Sequence, residues 1–464
     1  MNDATNQHIT PARRTAILIA CGLAQFIVAA DYWSVAVALP PMAEDLGVRA
    51  VDLQWVVSGY ILSFSVMLGI AGPLGDRLGR KRMLLIGIAA FGIVSVFTGM
   101  ADSPGMVIAT RIALGFGGGL LLPLGAAILA NITPSAGIPR AMAMLTAINA
   151  TGVAIGPALG GLLTDTLNWR WIFYLNIPFS ILAFVMVATM VRESRDPDSS
   201  GRIDVIGILL IMTSLGLISI GIDRIPHWPT GEWAAAIAVG LVCLGVFVLR
   251  ELRIPKPIID LRLLANRTFA GYTLAGMFSN SCWCLLVIIT TMLLQKVDRY
   301  DALDAGLFFL YLSVSVVVSS TLATYLTGRF GPRPLTIVAL FFQLTAMVLF
   351  FVDDRLTPLA IGLLIAGVGC SWGWAMPQAG AIGTLPREKV GLASGSILTV
   401  MVMVANLMFV VSATMMDAMS GPSGDDYEPG IHASYLLGIC LAAAGLAAAW
   451  MVIPRSPASP AEAT

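Results

Sequence analysis

GDRLGRKRMLLIG, residues 75–87, and TGRFGPRPLTIVA, residues 327–339, read as two copies of one connection. Each has Arg-x-Gly, a further basic residue within two positions, and then an apolar run. Glycine permits a tight reversal, and the charges hold such a loop at a membrane surface rather than inside it. The second copy is degraded, with Gly328 standing where the first has Asp76. A carboxylate kept in only one copy points to a regulatory or structural task in the first half.

The chain around these loops is oily. Of its 464 residues 57% are apolar and 12% charged, whereas soluble domains carry about 25% charged residues. Roughly 30 Å of hydrocarbon needs about 20 apolar residues at helical rise. Such windows occur at 15–41, 51–74, 83–101, 104–131, 140–164, 171–191, 203–222, 233–250, 268–294, 304–327, 334–352, 357–380, 390–416 and 431–453. The expected fold is therefore an all-α integral membrane protein with 14 transmembrane helices. With the N-terminus inside, twenty Lys and Arg fall on inner segments and six on outer ones, Arg111 lying within a span. This asymmetry places both termini in the cytoplasm.

The longest inner connections, 192–204 and 250–267, bracket the seventh and eighth spans. They divide the chain into a six-helix N-terminal half (1–191), a linker with two additional helices (192–267) and a six-helix C-terminal half (268–464). Parallel six-helix repeats are a transporter architecture, with the site between halves near mid-membrane. A zero formal charge gives no hint of nucleic acid. The six cysteines lie in apolar runs without metal-ligand spacing to the three histidines, so no metal or cofactor is expected. Cys282 and Cys284 read as small packing residues facing different ways. Neither a hydrolase nor a nucleotide-binding motif appears, which argues against an enzyme.

FIVAADYWSVAVALP, residues 26–40, carries one aspartate, Asp31, in an otherwise apolar span. A carboxylate there costs roughly 2.5–3.5 kcal/mol on insertion scales. Helical rise puts Asp31 roughly 15 Å below the outer end of the first span and Arg111 roughly 10 Å below the outer end of the fourth. Two opposite charges at matching depth should pair, since each alone is costly in lipid. Two readings stay open: a fixed structural pair, or one that breaks and forms as Asp31 takes and releases a proton. In the fifth span Gly152, Gly156 and Gly160 share a face, a groove for close packing, and Pro157 should bend the helix. Asp417 and SGDDYEP, residues 423–429, lie near the outside, where acids are expected to be solvated.

Residues 72–82, GPLGDRLGRKR, resemble the loop 2–3 signature of the major facilitator superfamily. RIALGFGGG (111–119) is similar to its helix 4 signature, with Leu114 where Gln is usual. GVAIGPALGG (152–161) matches the helix 5 signature of exporters. DYWSVAVALP (31–40) and LNWRWIFYLNIPFSIL (167–182) resemble segments of the fourteen-helix drug:proton antiporter branch. The resemblance implies a proton-coupled exporter of small amphipathic or cationic compounds, such as drugs or antibiotics. The alternative is a dedicated exporter or importer of one metabolite: an antibiotic, siderophore, amino acid or sugar. It implies proton coupling at Asp31 and Arg111. It further implies gating by Gly72, Gly75, Asp76, Arg77, Gly79 and Arg80, with Asp76 and Arg77 latching to a helix start of the opposite half. Gly152, Gly156, Pro157, Gly160 and Gly161 would form a bendable contact with that half. Tyr32 and Trp33 replace the family's usual small polar residues, and Ala36 replaces a usual Asn. Either packing or the cradling of a flat or cationic molecule explains such aromatics. Asn280, Trp283, Trp372, Trp374 and Gln378 are further candidate substrate contacts on helices that the resemblance makes cavity-lining. The expected partners are a small-molecule substrate, protons and the lipid bilayer. The expected form is a monomer in a bacterial cytoplasmic (inner) membrane.

Overall fold

A computed structural model describes residues 10–134, 138–195, 204–254, 257–353, 356–383, 385, 390–421 and 426–454. Fourteen described helices are long and apolar enough to cross a membrane. They are α1 (Pro11–Asp45), α2 (Trp55–Leu78), α3 (Arg80–Gly99), α4 (Pro104–Ile132), α5 (Ile138–Thr166), α6 (Arg170–Met190) and α7 (Val205–Asp223). The others are α8 (Thr230–Glu251), α9 (Arg267–Met292), α10 (Ala302–Phe330), α11 (Pro332–Val352), α12 (Leu356–Ile382), α13 (Val390–Ala418) and α14 (Glu428–Val452). All fourteen expected spans are present. Several run past their apolar windows by a turn, since a helix continues beyond the hydrocarbon wherever its backbone groups remain bonded. Each helix reverses the last, so residues 10 and 454 lie at one end of the bundle, here the near end.

The repeat seen in the two loops extends to the backbone and the caps. Gly79 between α2 and α3 has φ +109°, and Gly331 between α10 and α11 has φ +76°. Both are left-handed positions that a side chain would strain. Arg13, at the start of α1, donates to Met190 O at the end of α6 (2.8 Å). Arg267, at the start of α9, donates to Met451 O at the end of α14 (2.9 Å). Lys81 on α3 donates to Ala188 O (2.6 Å) and Arg333 on α11 to Ile453 O (2.9 Å). Each half thus fastens its last helix by cationic donors on its first and third, satisfying carbonyls that a helix end leaves open. These basic residues do more than set topology. In the first copy the Glu193 carboxylate also accepts from the backbone N–H of Lys81 and Arg82, both at 3.1 Å. That caps the positive end of α3.

The halves meet along two seams, α2 against α13 and α5 against α10. The repeat maps α2 onto α10 and α5 onto α13, so it exchanges one seam for the other. α7 and α8 form a hairpin whose α7 leans on the α2–α13 seam through Ile211 and Leu215, packed with Leu62, Val66 and Met403. At its near end Arg250 holds Asp204 at 2.8 Å. Burial raises the Asp204 carboxyl, but hydrogen bonds from Arg250 and Gly207 N outweigh it and bring it below its usual range.

The glycines of α5 need a correction. Their shared face meets α1, within the same half. A Cβ on Gly152 would come 2.6 Å from Phe26 O, on Gly156 2.7 Å from Trp33 Cβ, and on Gly160 2.5 Å from Ser34 O. The opposite half is touched from the other side of α5. There a Cβ on Gly161 would lie 2.2 Å from Ala302 O, and one on Gly306 of α10 2.6 Å from Pro157 O. A stripe of small residues says that some backbone comes close, not which one. Gly160→Ala is expected to lower stability by about 1–3 kcal/mol through overpacking. Gly245→Ala on α8, with no atom within 4 Å of the new Cβ, should be neutral or slightly stabilising. Thermal unfolding of both variants in detergent checks this, and equal melting temperatures would refute the close-contact account.

Candidate functional site

Asp31 and Arg111 are both fully shielded from solvent and form an ion pair at 2.5 Å. The carboxylate's other oxygen, Oδ1, accepts from Asn176 Nδ2 on α6 (2.8 Å), whose amide also reaches Ser95 Oγ on α3 (3.3 Å). Arg111 Nε donates to Val56 O on α2 (3.0 Å). Its guanidinium carbon lies 4.1 Å from the centroid of the Tyr60 ring, a cation–π contact strengthened by desolvation. One nitrogen, Nη2, has no partner among the described residues. Helices α2, α3, α4 and α6 of the first half thus build the surroundings of the carboxylate, and among the described residues no basic or amide group is drawn from the second. The depth-matching of Asp31 and Arg111 anticipates their meeting. Asn176 was missed, although it is the lone amide inside the sixth apolar window, 171–191, about as deep below Arg170 as Arg111 is below the fourth span's outer end.

A cavity of about 1050 Å³ lies between the halves and reaches the near end, where Met144, Tyr325 and Gly328 line its mouth. Its inner wall is aromatic. Tyr32, Trp33, Tyr60 and Phe64 come from the first half, Trp283 and Trp374 from the second. The Trp33 and Trp283 ring centroids are 5.2 Å apart across the halves, and Trp283 and Trp374 are 6.5 Å apart and nearly perpendicular. Asn280 also lines the space and donates to Met401 O (3.3 Å). Tyr32 Oη lies 3.8 Å from Cys284 Sγ, so Cys284 belongs to the cavity wall, while Cys282 packs toward Gly438 O on α14.

Two expected contacts are corrected. Trp372 does not line the cavity: it is buried among Ala323, Leu335 and Met376, its indole donating to Ser319 O (2.9 Å). Gln378 turns back on its own helix and donates to Trp374 O (2.7 Å). Asp31 does not line the cavity either. Tyr60, which does, stands beside Arg111 and separates the ion pair from the open space.

The far end is closed. Asp165 on α5 accepts from Leu303 N at the start of α10 (2.6 Å), and Gln295 donates to Val37 O (2.8 Å). Asp417, expected to be solvated, is nearly buried. It pairs with Arg49 of the α1–α2 connection (2.7 Å) and with His227 of the α7–α8 hairpin (2.6 Å). On the same hairpin Asp223 accepts from Gln54 and from Trp55 Nε1. Residues 423–425 of the neighbouring acidic stretch lie outside the described residues. At the near end Asp76 pairs with Arg80 one turn later on its own half (2.7 Å). Arg77 is half-buried beside it, and the side chains at the start of α13 lie outside the described residues. Gly72 has open space around it, whereas a Cβ on Gly75 would strike Leu124.

Residues 21–352 match the sequence profile of the Major Facilitator Superfamily. The chain belongs to this superfamily. Among its relatives is the multidrug resistance protein Stp of Mycobacterium tuberculosis, 32% identical over 385 residues, covering 82% of this chain and 71% of that protein. Another is the drug efflux pump JefA of the same organism, 31% identical over 375 residues, covering 80% and 73%. A bacterial homologue of the human lysosomal transporter Spinster, solved inward-facing and unoccupied, superposes with a TM-score of 0.69. It is 16% identical over 97% of this chain and all of that one, a likeness of fold alone. Within the superfamily fold, the first half holds a sealed charge pair, and the cavity lies on the other side of one tyrosine ring.

Removing one member of a buried ion pair strands the other, at a cost of about 3–5 kcal/mol. Arg111→Met is therefore expected to lower the melting temperature in detergent sharply, and Asp31→Asn added to it to recover most of the loss. An Arg111→Met protein that melts like the wild type would show that the pair does not hold this half together.

Proposed function

We propose that this protein is a proton-coupled antiporter that exports small amphipathic or cationic compounds, such as drugs, by alternating access. Its setting would be a bacterial cytoplasmic membrane, where it would act as a monomer. The observation that carries this reading is the ion pair of Asp31 and Arg111, buried at mid-span beside the cavity and sealed from it by Tyr60. The names of the relatives Stp and JefA support export of drugs.

With the cavity open at the near end, taken as the cytoplasmic one, Asp31 is held by Arg111 and Asn176. Substrate enters from that side and settles against Tyr32, Trp33, Trp283, Trp374 and Asn280. When the far end opens, a proton reaching Asp31 neutralises the carboxylate and weakens its hold on the guanidinium. Arg111 then rests on Val56 O and the Tyr60 ring. A shift of Tyr60 changes the cavity wall, which links the two events without substrate touching the carboxylate. Inward proton movement is favoured by about 2.3 kcal/mol per charge per 100 mV, enough to drive a solute outward against a gradient.

The rocking would run along the two seams. Pro157 and Gly161, against Ala302 and Gly306, supply a backbone contact without side chains to interlock. Closing the near end would release Asp76 from Arg80 to engage the opposite half with Arg77. Gly75 and Gly79 keep that connection tight, and Gly152, Gly156 and Gly160 make α1 and α5 move as one piece.

The test is reconstitution in vesicles with a pH dye inside and an imposed proton gradient. Lipophilic cations and neutral antibiotics are added in turn to wild type and to Asp31→Asn. Compound-dependent proton flux is expected in the wild type and should fall to background in the variant, compared at equal amounts of folded protein in the vesicles. Full flux in Asp31→Asn would return the carboxylate to a structural role, and no flux with any compound would favour a transporter dedicated to one metabolite.

A further inference from the structure

Among the described residues, the wall of the cavity contains no Asp, Glu, Lys, Arg or His. A site meant for hydrophilic cations would be expected to present a carboxylate, and the nearest, Asp31, is already neutralised by Arg111 and shielded from solvent. The aromatic wall offers π faces instead, but the Tyr60 ring is engaged by the Arg111 guanidinium carbon at 4.1 Å. A ring polarised by one cation attracts a second one poorly. One π face of this wall is thus already occupied by a cation.

Two hydrogen-bond donors on this wall have nothing to donate to. Tyr60 Oη and Trp283 Nε1 are buried, and neither has a partner among the described residues. Their residues are 1% and 9% exposed. Nearly all buried polar groups in folded proteins are satisfied, so two orphans in one cavity wall call for an explanation. One donor stands on α2 and the other on α9, so a ligand bonding both would bridge the halves. The Trp33–Trp283–Trp374 cluster beside them provides an apolar surface on which a flat ring system stacks.

The geometry points to a definite substrate class: flat, uncharged aromatic compounds bearing carbonyl-type acceptor oxygens, taken in preference to permanent cations. Their rings stack on the tryptophan wall, and their oxygens accept from Tyr60 Oη and Trp283 Nε1 after small side-chain adjustments. This rests on the reading of the cavity as the transport site and narrows its cargo.

Purified full-length protein in lipid nanodiscs would be dialysed to equilibrium against an uncharged aminoanthraquinone and, separately, against ethidium, a flat permanent cation. The anthraquinone should bind about ten-fold more tightly, and Tyr60→Phe and Trp283→Phe, which keep a ring and remove a donor, should each weaken it about five-fold. Ethidium, which has no acceptor oxygen, should lose less affinity than the anthraquinone in both variants. Ethidium binding as tightly as the anthraquinone, or anthraquinone binding unmoved in both variants, would overturn the inference. The same two compounds in the proton-flux assay separate the two claims. Flux driven by ethidium and not by the anthraquinone overturns the substrate class and sustains the transport reading. Selective binding without flux counts against transport and leaves the recognition chemistry standing.

Discussion

A carboxylate and a guanidinium, each too costly to leave alone in hydrocarbon, organise the first half of this protein around themselves. Asp31 needs donors, and they come from α4 and α6. Arg111 needs acceptors, and they come from α1 and the backbone of α2. The fixed positions of those four helices therefore follow partly from polar satisfaction and not only from apolar packing. The same arrangement sets the position of Tyr60, because the guanidinium lies on its ring. Tyr60 in turn is part of the cavity wall. One electrostatic constraint thus reaches from the interior of a half to the wall of the cavity between the halves.

The second half has no counterpart of this pair, yet its scaffold follows the first closely. Cationic donors at the starts of α1 and α3 fasten α6, and those at the starts of α9 and α11 fasten α14. Glycines in the left-handed region turn the chain at the same place in both copies. The two halves share a frame, while charge chemistry has been concentrated in one. The loss of the Asp76 equivalent at Gly328 is of a piece with that division.

Much of this was legible in the sequence because it depends on distance along one helix. Span lengths give the helix count, and rise per residue brings Asp31 level with Arg111. What depends on how helices turn toward one another was not legible. The glycine face of α5 looks the same whether it meets α1 or α10, and only packing decides. Trp372 and Trp374 are two residues apart, so they point nearly opposite ways on a helix, and at most one could face the cavity. Which one is a matter of tertiary rotation. Asp417 reads as a solvated loop acid because its partners, Arg49 and His227, lie far from it in the chain.

The α7–α8 hairpin breaks the equivalence of the two seams. It screens the lipid side of the α2–α13 seam along α7 and is tied to the far end through Asp223 and His227. No such cover lies over the α5–α10 seam among the described residues, where Met144 and Tyr325 are at once cavity-lining and exposed. Beside its near-end mouth the cavity is therefore flanked by one uncovered seam rather than two. The additional pair of helices acts as a shutter, giving a pseudo-symmetric barrel a front and a back within the plane of the membrane.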